Sequence, residues 1–319
     1  MKKLLITFGC SWTYGVGLNY IDGMSKSEYN SGSRNNAVIA NELSFRGLIS
    51  KKLNFDNVNF SVGGSSNQKQ FRLAKEFFFS NTFNDLKSKY KEIVVLWGIT
   101  STARNELYNL NKKEYDSFFY YNPIERYNKS RGEDWPVYSD FVNKTYQKLK
   151  DNINEELKKF KFTIDKESDP NWPFPANFVL FSYDHNIALH ELILEIKMFN
   201  SFFSQQKIKC LWFDTFNHHD YETNLNPIEK EITGCDTPLE NFLLINNHPR
   251  DLLSLMLVKN NSYVDDARYH LSTWDLDNDK LSMGIEKKLL NPYSYHPTAF
   301  GHREMADMLS SEIEKLLQG

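Results

Sequence analysis

The run "EIVVLWGI", Glu92 to Ile99, constrains the fold more than any other stretch of the chain. After Glu92 it carries no charged or hydrogen-bonding aliphatic side chain. A strand with one face in water alternates apolar and polar residues, because successive side chains point to opposite faces. A strand that is apolar on both faces must be covered on both, which is the situation of a central strand in a parallel sheet. This run predicts a sheet with helices above and below it.

The segments before it fit that expectation. Lys3 to Phe8 reads as a strand closed by glycine. Ser44 to Leu53 has a helical period, with Phe45, Leu48, Ile49 and Leu53 on one side. Val58 to Val62 reads as a second strand ending in Gly63-Gly64. Asn67 to Tyr90 reads as one helix, with Phe71, Leu73, Ala74, Phe77 and Phe78 at its apolar positions. Strand, helix, strand, helix, strand is the pattern of a parallel sheet with helical crossovers. Right-handed crossovers bring the ends of the strands to one edge, where ligands bind in such folds.

Past Ile99 the rhythm breaks. A stretch at about 105–176 is rich in Tyr, Phe, Asn and Lys, with a charged helical pattern from Tyr138 to Phe160 and the run "DPNWPFP". It reads as a long insertion, a lid or binding wall. Tyr183 to Gln206 reads as a long helix, and Lys209 to Phe213 as a strand ending in Asp214. A second, irregular insertion covers about 215–260. Ser262 to Val264 reads as a last edge strand and Thr298 to Leu317 as a C-terminal helix. The expectation is one α/β domain spanning residues 1–319, with a parallel sheet of about five strands.

Charge narrows the partners. The formal net charge is -3, with no basic excess to hold a nucleic acid or an anionic membrane. The three cysteines, Cys10, Cys210 and Cys235, are far apart, without metal-site spacing, and read as free thiols. The first residues, "MKKLLI", imitate a signal peptide, but the apolar stretch is short and runs into Gly9-Cys10-Ser11 rather than a cleavage site. No stretch reaches the roughly 18 apolar residues of a membrane span. These readings point to the cytoplasm or, given a composition suited to an AT-rich and viral genome, to a virion.

Four loop motifs carry the chemistry. "FGCSWTYG" follows the first strand, "NFSVGGSSN" the second and "VVLWGITS" the third. "HPTAFGH" precedes the last helix, with Thr298 suited to cap it. This ordered set resembles the SGNH, or GDSL-type, hydrolase family, across nearly the whole chain from Gly9 to His302. The resemblance implies a flavodoxin-like three-layer α/β/α fold. It implies Ser11 as nucleophile and His296 as general base, with the N–H groups of Ser11 and Gly64 holding an oxyanion. It also implies an acyl or acetyl ester of a carbohydrate or lipid as substrate, with no cofactor and no metal.

The chain departs from the family twice. Thr100 stands where the third motif carries an oxyanion-binding asparagine; Asn67 and Asn105 are the nearby amides. Tyr293 stands where an aspartate precedes the histidine by three positions; Asp214 is the other candidate for that role, and a backbone carbonyl a third. Asn67, Arg104 and Trp12 are candidates for substrate binding. A member that kept the fold and lost catalysis, holding a glycan or protein on its aromatic insertion, would show the same losses. A third reading is acyl transfer to an acceptor other than water, which needs the same serine in a drier site.

Other motifs are weaker. His218-His219-Asp220 reads as a polar loop, because adjacent histidines on extended chain point apart. Asp275-x-Asp277-x-Asp279 with Glu286 begins like a calcium loop, but Lys280 replaces the required glycine. The glycines at 15–17 and 63–64 fit no nucleotide-binding pattern.

Overall fold

The computed structural model describes residues 2–32, 37–102, 104–109, 113–119, 185–215, 244–245, 248–249, 251–260 and 278–318. The chain divides into two compact units, Met1–Thr102 with Leu189–Gly319, and Ala103–Ala188.

The larger unit holds a four-stranded, wholly parallel sheet. Its strands are β1 (Lys3–Phe8), β2 (Asp56–Asn59), β3 (Glu92–Ile99) and a strand at Lys209–Asp214, in the order β2, β1, β3, Lys209–Asp214. β3 is buried from Ile93 to Ile99, as a two-faced apolar strand must be. Its alternate residues feed two separate cores. Ile93, Val95, Trp97 and Ile99 face a cluster with α5 (Asn67–Phe78) and the long helix His185–Gln206. Val94 and Leu96 face a second cluster with α4 (Phe45–Leu53), the helix Leu252–Lys259 and the C-terminal helix Ala299–Gln318. The result is three layers, α/β/α.

Register explains much of the aromatic content. Phe8 pairs with Trp97 and Trp97 with Trp212. Their rings stack across three strands with centroids 4.5 and 4.7 Å apart. Phe71 and Phe199 cover the row from the helical layer, 4.9 and 5.1 Å from Trp97. These rings are core, worth burial plus the preference of offset rings for one another.

Several boundaries differ from the sequence reading. Asn67 to Tyr90 is two helices: α5 ends at Phe78, and α6 (Asn81–Lys87) restarts with Ser80 as N-cap, its hydroxyl accepting from Phe83 N–H at 3.2 Å. A serine satisfies the orphan N–H groups of a new helix better than it continues an old one. β2 lies two residues earlier than expected, because it is an edge strand with only partial burial. Pairing with β1 still runs on beyond it, through Phe60 N–H to Thr7 O and Val62 N–H to Gly9 O. The sheet has four strands among the described residues, not five. Ser262 to Val264 lies outside them, but an isolated parallel bridge joins Asp214 to Asp251 beyond the fourth strand.

The smaller unit contains an antiparallel pair, β4 (Arg104–Asn109) and β5 (Glu114–Phe119), at the start of the stretch read from the sequence as an aromatic-rich insertion without named strands. The patterns at Tyr138 to Phe160 and "DPNWPFP", the His218-His219-Asp220 motif and Cys235 lie outside the described residues. Among the described residues, no helix is long and apolar enough to cross a membrane.

Candidate active site

The strand order puts a switch point between β1 and β3: the chain leaves β1 toward β2 on one side and returns to β3 on the other. In open parallel sheets the crevice beyond the strand ends at that point is where ligands bind. Ser11 follows β1 there, and Thr100 follows β3.

Ser11 opens a single helical turn, α1 (Ser11–Tyr14), whose Tyr14 N–H donates to Cys10 O at 3.0 Å. The first N–H groups of any such turn have no acceptor within it. Two glycines let the turn sit down on the sheet. A Cβ on Gly9 (φ +148) would lie 2.3 Å from Thr13 Oγ1, and one on Gly98 would lie 2.6 Å from the same atom. Trp12 is buried in the second core cluster.

Gly64 lies on the turn Val62–Ser65, closed by Ser65 N–H to Val62 O at 3.2 Å. Its φ of +73 is the left-handed conformation this turn position demands of a glycine. It is exposed, with open space around it. The bond from Val62 N–H to Gly9 O sets this turn beside the Ser11 loop.

Asn67 grips Thr100. Its Nδ2 donates to Thr100 O at 2.7 Å and its Oδ1 accepts Thr100 N–H at 2.9 Å. The side chain thus continues the ladder by one residue past β3 and commits its amide to that task. Thr100 Oγ1 is buried and has no hydrogen-bond partner among the described residues. A buried hydroxyl left unpaired is costly, and so is expected where a ligand completes it.

Asp214 is buried at the end of its strand, opposite Ile99. Next to it Thr215 Oγ1 donates to Ile99 O at 2.8 Å and accepts from Cys10 Sγ at 3.8 Å. Arg104 and Asn105 are buried residues of the smaller unit.

His296 arrives from the far end of the chain. A Cβ on Gly17 would lie 2.8 Å from both His296 Cβ and Asn291 Nδ2, so the histidine loop packs against the chain just after α1. Asn291 builds that loop. Its backbone N–H and its Nδ2 both donate to His296 O at 2.9 Å. Its Oδ1 accepts from Tyr293 N–H and Ser294 N–H at 3.2 and 2.9 Å. The Asn291-Pro292 pair was the available signal, since Asx side chains fold the chain back on itself in this way; the sequence reading passed over it. Tyr293, the residue in the family's aspartate position, donates its hydroxyl to Met24 O at 2.6 Å. Ser294 Oγ lies 3.0 Å from His296 Nδ1. Among the described residues no hydrogen bond joins Ser11 Oγ to His296.

No family model matches the chain, and no curated protein matches it. Function therefore rests on the chemistry of this edge.

His302, the second histidine of "HPTAFGH", is structural. It is fully buried, and its Nδ1 accepts Phe45 N–H at 3.2 Å, fastening the C-terminal helix to the start of α4. Burial, with His296 and Arg46 nearby, pushes its pKa down to about 3. Gly301 is required beside it, because a Cβ there would meet Leu289 O at 2.3 Å. Thr298 caps the helix as expected, accepting Gly301 N–H at 3.1 Å. The calcium-like run fails in its second part: Asn278–Glu286 is a helix of 9 residues, so no twelve-residue loop forms. Among the described residues no cluster of metal-ligating side chains occurs.

Proposed function

We propose that the chain is a serine esterase of SGNH type, one domain with two insertions, acting on an acyl or acetyl ester of a carbohydrate or lipid. Ser11 Oγ attacks the ester carbonyl while His296 takes its proton, since a serine hydroxyl is a weak nucleophile without a base. The oxyanion meets Ser11 N–H, Gly64 N–H and Thr100 Oγ1. His296 returns the proton to the departing alcohol, and water then frees the acid from Ser11 by the same route.

The observation that supports this reading is the packing of His296, from the last loop, against Gly17 in the loop that follows α1. The hydroxyl of Thr100 supports it, as a donor with no hydrogen-bond partner among the described residues. The neutral serine oxygen at His296 Nδ1 favours the rival reading, a glycan- or protein-binding member without catalysis.

Intact mass after treatment with a fluorophosphonate separates the two. The esterase gives one adduct, absent in Ser11→Ala and formed at least ~10-fold more slowly in His296→Ala, in keeping with the usual worth of a general base. Folded wild-type protein that stays unmodified is the binding protein. Product on an added alcohol or sugar, in place of free acid, would mark an acyltransferase.

A further inference from the structure

We propose that Ser294 is a positioning residue of His296, holding its Nδ1; this rests on the reading of His296 as the base. Its hydroxyl sits at a junction. His296 Nδ1 is 3.0 Å away, Asn291 Oδ1 3.1 Å and Tyr29 Oη 2.7 Å. A hydroxyl has one proton to give and two lone pairs.

The direction of each bond follows from Asn291. Two backbone N–H groups, of Tyr293 and Ser294, converge on its Oδ1, and its Nδ2 points at His296 O. The amide orientation is therefore fixed, and Oδ1 can only accept. The single proton of Ser294 goes to it. Oγ is then left with two lone pairs for its two other neighbours, and accepts from Tyr29 O–H and from His296 Nδ1–H. Tyr29 is fully buried and Asn291 likewise, so neither end of the junction turns freely.

The consequence is a chosen tautomer. With the proton on Nδ1, Nε2 carries the lone pair and is the basic nitrogen of the ring. A neutral oxygen does this without the charge that a carboxylate offers to the imidazolium. Ser294 therefore orients the base and stabilises its protonated form only weakly.

The test reads the tautomer directly. Protein carrying ¹⁵N-histidine is examined by long-range ¹H–¹⁵N correlation above the titration of the ring, with His296 assigned from a His296→Gln spectrum. The wild type shows Nδ1–H on His296. In Ser294→Ala the signal moves to Nε2–H or to a mixture, while Ser294→Thr, which keeps a hydroxyl, restores Nδ1–H. Circular dichroism confirms that both variants are folded. In parallel, phosphonylation of Ser11 slows by at least ~10-fold in Ser294→Ala, less than the ~10⁴ lost with a triad carboxylate, and recovers in Ser294→Thr. A bare Nδ1 in the wild type, or a tautomer unchanged in Ser294→Ala, overturns the proposal. A tautomer that shifts as described in a protein that never labels at Ser11 leaves the orienting contact standing and removes the esterase.

Discussion

Individual residues near the serine turn do different work from what their motif suggests. His302 lies in the same motif as His296, yet it is sealed in the core as a neutral acceptor for Phe45 N–H. Its depressed pKa has a consequence for stability. In the unfolded chain a histidine takes a proton below about pH 6.5, while the folded one, at about 3, does not. The unfolded state then binds more protons, so stability present above pH 6.5 is lost as pH falls toward 3, at about 1.4 kcal/mol per pH unit. The neighbours that face it, His296 and Arg46, both act in the same direction. His302→Gln keeps an acceptor for Phe45 N–H and removes this titration. Urea unfolding at several pH values should show a shallower acid loss in that variant than in the wild type. Equal slopes would mean that His302 protonates without unfolding.

At the level of elements, the decisive contact is between α1 and the ends of β1 and β3. Thr13 fills the space above Gly9 and Gly98, and Gly98 is further hemmed by Thr215 Cγ2 at 2.8 Å and Phe213 Cε2 at 2.9 Å from a would-be Cβ. Gly98→Ala must lift α1 off the sheet. Overpacking of this kind costs roughly 1–3 kcal/mol, so thermal unfolding should begin several degrees lower. Ser11 should also react more slowly with the fluorophosphonate, because its turn moves with Thr13. A stable variant that labels normally would show that α1 is not seated by these contacts. The sequence displayed this region well. β3 announced itself by two-faced apolarity, and the serine turn by the glycines around it, both local signals. It did not display the break between α5 and α6, where one capping serine overrode a continuous apolar period. Nor could it display the junction at Ser294, whose partner Tyr29 lies near the other end of the chain and is joined to it only by the fold.

For the larger unit as a whole, the question is whether its two cores come apart separately. They share one sheet, and β1, β3 and the strand Lys209–Asp214 each supply alternate residues to both. Opening either helical layer strips one face of these three strands and leaves the sheet without half its cover, so the two should melt together, as single domains usually do. The cysteines report on this. Cys10 belongs to the cluster under α4 and the C-terminal helix, Cys210 to the cluster under α5 and the long helix. Both are buried free thiols, and burial raises the pKa of Cys210 well above its ordinary value, which removes the thiolate that a reagent needs. In a Cys235→Ser background, neither thiol should react with a disulfide reagent in the native protein. As urea rises, both should become reactive with one midpoint, matching that seen by circular dichroism. Cys10 reacting well before Cys210 would place a separate opening in the layer that carries the C-terminal helix. The His296 loop leads into that helix, so His296 would then be held by the less stable half of the larger unit.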